Sequence, residues 1–189
     1  MKDAIIIVEG PQGAGKTTFT NYLREKMSAT DLYRLAGIKD KGETGLAKSR
    51  KRYDNLLEYM KNSININMIF DRTFFSEEIY SRLGYKEYSF SDIYKELLQK
   101  LDNLDYEIYL VILHLEDTLE YETRIKRDKH EYQKFEVESS INQQNEYLKL
   151  ADEIERDTNN IKVIRFNNSS EIDFEKEVQE SFGHLFGNK

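Results

Sequence analysis

A chain of 189 residues, 39% hydrophobic and 33% charged, has the size and balance of one soluble globular domain with a real core. Its net charge of −7 opposes a protein that coats DNA, because nucleic-acid phosphates are gripped by cationic surface, although a local basic groove stays compatible with it. The absence of cysteine excludes disulfides and thiolate chemistry, and no apolar run approaches a membrane span, so a cytoplasmic protein without membrane partners is expected.

In chain order, Ile5, Ile6, Ile7 and Val8 form an unbroken β-branched run, the composition of a strand covered on both faces of a parallel sheet. A glycine-rich turn follows, and then a helix with Phe19, Tyr22, Leu23 and Met27 at helical spacing. Residues 31–36 are a short, weak strand candidate. Residues 46–61 read as a helix lined by Leu46, Tyr53, Leu57 and Met60, and residues 65–70 as a second apolar strand ending at Asp71. A helix carrying Phe75, Ile79, Tyr80 and Leu83 is expected next, with Gly84 as its stop, and another over residues 91–101. Residues 106–115 make the strongest later strand. Asp117 and Glu120 resemble a capping box opening a helix that runs into the charged stretch 124–131. A polar helix over residues 135–150, a strand over 161–166 and a C-terminal helix ending before Gly187 complete the chain. Strands alternating with helices predict one three-layer α/β domain over residues 1–189, with a parallel sheet covered on both faces.

Chemistry concentrates at three places. Residues 10–17 fit G-x-x-x-x-G-K-[ST], the phosphate-binding loop. Gly10, Gln12, Gly13, Ala14, Gly15, Lys16, Thr17 and Thr18 are its candidate nucleotide contacts: amides and the helix N-terminus face the phosphates, and Lys16 reaches the terminal ones. The Thr17 hydroxyl is expected at a Mg²⁺ ion, with ATP as the nucleotide. Asp71 and Arg72 end a strand, where open α/β sheets bind ligands; Asp71 suits Mg²⁺ or a proton, and Arg72 suits an acceptor phosphate. None of Pro11, Gln12, Gly13 and Ala14 is cationic, so arginines from elsewhere must compensate the transferring charge. Arg124 and Arg127, three apart on one helix side, are the candidates, in a closing lid over about residues 117–135. On the acceptor side Phe75 and Tyr80 offer aromatic surface, Arg50 a cation, and Tyr53 lies on the stripe of the 46–61 helix.

Residues 9–18, together with Asp71-Arg72, the following Ser76 and Tyr80, and the arginine-rich stretch 124–129, resemble the thymidylate kinases and the related deoxynucleoside kinases. The resemblance implies a P-loop kinase sheet of five parallel strands with an arginine-rich lid. It also implies donor binding by Lys16, metal binding by Thr17 and Asp71, acceptor-phosphate binding by Arg72, and transition-state charge compensation by Arg124 or Arg127. Two departures leave the acceptor open. Gln12 stands where thymidylate kinases usually carry Asp, and residues 34–40 lack their Arg-Glu-Pro-Gly-Gly segment. The leading expectation is a kinase of a deoxynucleoside monophosphate, a pyrimidine one first. A kinase of a free deoxynucleoside or of a hydroxymethylated base in DNA, as in similar phage enzymes, is the alternative, and DNA would then be a partner. A nucleotide-binding switch is a third reading, opposed by the lack of an Asn-Lys-x-Asp motif. The helix faces leave room for a homodimer.

Overall fold

The computed structural model describes residues 2–127 and 136–186. Five parallel strands form its sheet: β1 (Ala4–Glu9), β2 (Thr30–Arg34), β3 (Asn67–Asp71), β4 (Glu107–His114) and β5 (Ile161–Asn167), in the order β2-β3-β1-β4-β5. Seven helices connect and cover them: α1 (Lys16–Lys26), α2 (Gly42–Asn62), α3 (Phe74–Arg82), α4 (Ser91–Asp102), α5 (Glu120–Arg127), α6 (Val137–Asp157) and α7 (Phe174–Phe182).

β1 lies at the centre, which explains its composition. Ile5 and Ile7 face one core with α2, α3, α4 and α6, while Ala4, Ile6 and Val8 face the other with α1, α5 and α7. All are fully buried, each burial of an Ile or Val contributing about 2 kcal/mol. The chain leaves β1 toward β2 and β3 on one side and later reaches β4 and β5 on the other, so the strand order reverses at β1. A crevice opens at such a switch point, outside the carboxyl ends of the strands. There Val8 is level with Asp71, and Arg34 is level with Asp71 from the other side.

Several expectations shift. β2 is a real strand, but it pairs only with β3, so its weak apolar signal fits an edge. α2 starts at Gly42, four residues before its apolar stripe, and α6 runs to Asp157. Gly84 does close α3: it adopts φ +74°, its N–H donates to Ser81 O, and the Tyr85 N–H donates to Tyr80 O. The capping box at Asp117 and Glu120 does not form. Asp117 Oδ1 accepts from the Leu119 N–H, and the Glu120 carboxylate turns to Ser170 and Arg124. Of the stretch 117–135 only residues up to 127 are described, so Asp128, Lys129 and His130, like Phe135 and Gly187, lie outside the described residues. Among the described residues no helix is long and apolar enough to cross a membrane.

Candidate active site

The loop between β1 and α1 has the geometry its glycines require. Gly10 adopts φ +142°, and a Cβ there would lie 2.6 Å from Leu113 O, so only glycine lets the loop pass β4. Gly15 adopts φ +92°, and a Cβ there would lie 2.4 Å from the Asn168 amide nitrogen. Gly15 is also the residue before α1, which carries no side-chain cap, so the first turn's N–H groups remain available to an anion. Lys16 folds over the loop, its ammonium donating to Gly10 O at 2.8 Å and Pro11 O at 2.7 Å. Burial, and then the nearby Arg72, lower its pKa to about 7. Asp71 and Glu9 act in the opposite direction but do not outweigh burial.

Asp71 stands opposite. The Thr17 hydroxyl donates to Asp71 Oδ2 at 3.3 Å, bringing the two expected metal-side groups together across the sheet. Arg34, at the end of β2, places Nε 3.7 Å from the same oxygen. Arg72 follows in the left-handed region at φ +72°, a conformation costly for a bulky residue, with its N–H donating to Val8 O. Its Nη1 donates to the Tyr80 hydroxyl at 2.6 Å. Burial works against the Arg72 charge but is outweighed by Tyr80, Tyr147, Glu9 and Asp71, which hold it protonated.

Behind Arg72 lies a buried carboxylate. Glu9, the last residue of β1, accepts from the Thr73 N–H at 2.6 Å and from Ser76 Oγ at 2.5 Å. Tyr147 of α6 donates to it at 3.3 Å. Burial raises the Glu9 pKa, against the lowering effect of the Ser76 and Thr73 hydrogen bonds and of the Arg72 and Lys16 charges.

The loop after β5 closes the other side. Asn168 Nδ2 donates to Ala14 O at 2.8 Å, buttressing the glycine-rich loop. Arg124 donates to Asn168 O at 2.6 Å, to Glu120 at 2.8 Å and, at 3.4 Å, to Gly13 O. The resulting cleft has a volume of about 740 Å³ and carries Lys16, Arg72, Arg124 and Arg127 against Asp71 and Glu120. In a chain of net charge −7, that cationic concentration points to a phosphorylated ligand.

No protein-family model matches the sequence, and no curated protein matches it. Solved structures do. A deoxyadenosine kinase from M. mycoides with bound dATP superposes with TM-score 0.65 at 17% identity, covering 96% of this chain and 98% of that one. The same enzyme with products dCMP and dCDP gives 0.60 at 18% identity, with the same coverage. A thymidylate kinase from Candida albicans gives 0.60 at 14% identity, covering 97% of this chain and 92% of that one. The chain has a P-loop kinase fold.

Within this P-loop kinase fold the structure gathers Gln12, Gly13, Gly15, Lys16, Thr17, Thr18, Asp71, Arg72, Arg124 and Arg127 on one cleft, with Tyr80 bonded to Arg72. Gly10 and Ala14 shape the loop through their carbonyls. Three expected substrate contacts, Phe75, Arg50 and Tyr53, do not line the cleft. Phe75 has no exposed surface and lies inside the core, stacked on Phe74 at 4.5 Å with its ring edge-on to Tyr94 of α4. Arg50 lies on the outer face of α2, paired with Glu96 and, at 3.5 Å, with Asp54. Tyr53, on the inner face of the same helix, is buried against Phe74. Burial first, and then Glu77, raise its pKa. Sequence reasoning missed Glu9, Arg34, Tyr147 and Asn168. Only Glu9 carried a signal, a lone carboxylate ending a fully apolar strand.

Proposed function

We propose that the protein is an ATP- and Mg²⁺-dependent kinase that phosphorylates a deoxynucleoside monophosphate, a pyrimidine one first. The observation that carries this reading is Asp71, bonded to Thr17 on the donor side and flanked by Arg34 and Arg72 on the acceptor side. Two guanidiniums beside one carboxylate exceed what a neutral hydroxyl acceptor needs and match an anionic one.

The residue roles follow from the geometry. The amides at the start of α1 and Lys16, released from Gly10 O and Pro11 O, bind the donor phosphates. Arg72 and Arg34 orient the acceptor phosphate, one of whose oxygens attacks the terminal donor phosphorus while the bond to the bridging oxygen breaks. That oxygen is already ionised, so no strong base is required, and Asp71 is free to serve the metal. Thr17 and Asp71 offer the hard oxygens that suit Mg²⁺. Among the described residues no group of three or more carboxylates or imidazoles is placed to hold a metal, so phosphates and water would complete the shell. Bound Mg²⁺ supplies neutralisation of phosphate charge. Arg124 and Arg127 supply positive charge from α5.

Labelled ATP offered with each deoxynucleoside monophosphate, each deoxynucleoside and hydroxymethylated DNA tests the proposal. Transfer to a monophosphate is expected. Transfer to none of the monophosphates rejects it, and transfer to a hydroxyl acceptor alone replaces it with the nucleoside or DNA-base reading.

A further inference from the structure

On α6, two adjacent glutamines have opposite fates. Gln144 is fully paired: Oε1 accepts from the Leu115 N–H at 2.9 Å and the Tyr121 hydroxyl at 2.6 Å, and Nε2 donates to Leu115 O at 3.0 Å. Gln143 has no exposed surface, and neither its Oε1 nor its Nε2 has a partner. Among the described residues it is the one side chain with two buried, unpaired polar atoms. Such an amide destabilises the protein that contains it, so its presence calls for a partner that arrives from outside.

Its position narrows that partner. Ser140, one turn before it, donates to Gln12 O of the phosphate loop at 3.1 Å. Tyr147, one turn after it, is bonded to Ser76 at 2.9 Å and to Glu9 at 3.3 Å, beside Arg72. Residues three and four apart share a helix face, so Gln143 lies between the phosphate loop and the Arg72 side of the cleft. We propose that Gln143 is an acceptor-binding residue whose amide is satisfied only when the nucleoside portion of the acceptor is in place. This rests on the kinase reading above. The chemistry selects the nucleoside rather than its phosphate. A carboxamide presents a donor and an acceptor side by side, a phosphate has only acceptors, and a sugar hydroxyl or a base edge has both. Because Gln143 is fully buried, binding includes a local rearrangement that uncovers its amide.

The test is Gln143→Met in the full chain, a swap that keeps volume and removes the amide. The melting temperature of the ligand-free variant is expected to rise by roughly 2–4 °C, because an unpaired amide is lost. The KM for the preferred deoxynucleoside monophosphate is expected to rise about tenfold with the KM for ATP unchanged, and the melting shift induced by that monophosphate to shrink. Gln144→Met serves as the opposite case, with a lower melting temperature and unchanged acceptor KM. A Gln143→Met protein that melts lower, fails to fold or keeps the wild-type acceptor KM overturns the proposal. So does a Gln144→Met protein with the same KM defect. If the wild type phosphorylates no nucleotide at all, the kinase reading fails instead, while the ligand-free melting comparison still reports whether the amide is unpaired.

Discussion

Around Gly13 and Lys16 the cleft is open, and its anion-facing groups are backbone amides buttressed by Asn168 and Arg124. Around Glu9 and Arg72 the polar side chains are already paired with one another, Glu9 with Thr73, Ser76 and Tyr147, and Arg72 with Tyr80. The difference teaches how the two halves are prepared. Backbone donors are fixed by the fold and need no partner while they face solvent, so the donor half can stay open. Buried side chains would be costly unpaired, so the half proposed to take the acceptor holds itself together without a ligand.

The largest test of this contrast is Lys16→Ala. It removes the cation folded over the phosphate loop, and kcat is expected to fall by about 10³-fold with little loss of stability. Steady-state turnover and a thermal melt check both, and a variant with near wild-type kcat breaks the assignment. Arg72→Ala comes next. A loss of about 10²-fold in kcat/KM for the acceptor is expected, with the KM for ATP unchanged, because Arg72 belongs to the acceptor half alone. Equal losses for both substrates would erase the division.

A smaller effect is set by pH. Lys16 titrates near 7 in the folded protein, against 10.5 as its ordinary value. The unfolded chain therefore binds more protons between these values, and the Lys16 contribution makes ligand-free stability rise as pH climbs from about 7 to about 10.5. Below that window both states are protonated and the contribution is constant. Nucleotide binding should draw a proton onto Lys16, read by calorimetry at about pH 8 in buffers of different ionisation enthalpy. A binding heat independent of buffer refutes it. The smallest effect is Arg50→Ala, which removes a solvent-exposed pair and should leave both the melting temperature and the kinetics at wild-type values. A raised acceptor KM in that variant would extend the acceptor half to the outer face of α2.

The parts legible in the sequence share a property: their information is contiguous. β1, the glycine-rich loop and α1 are written in residues 4–26, and Asp71-Arg72 is marked by the end of an apolar run. The core placement of Phe75 is not legible in the sequence, because helical spacing cannot distinguish the core-facing side of α3 from a ligand-facing one. Its neighbour Ser76, bonded to Glu9, is the residue that turns toward the site. The same holds on α2, where Arg50 takes the outer face and Tyr53 the inner one. β2 gave a faint signal because an edge strand has one neighbour and less to bury.

By itself the sequence determined the glycine-rich loop proposed as the donor half, since such a loop needs only its own glycines, strand and helix. The acceptor half was decided by the tertiary structure. Glu9 meets Thr73, Ser76 and Tyr147, Arg34 meets Asp71, and Asn168 meets Ala14 only because the sheet order sets β2 beside β3 and β1 between β3 and β4, and because α6 lies beside α3. Side-chain clusters of that kind are fixed by which elements pack together, and no local pattern of residues records that choice.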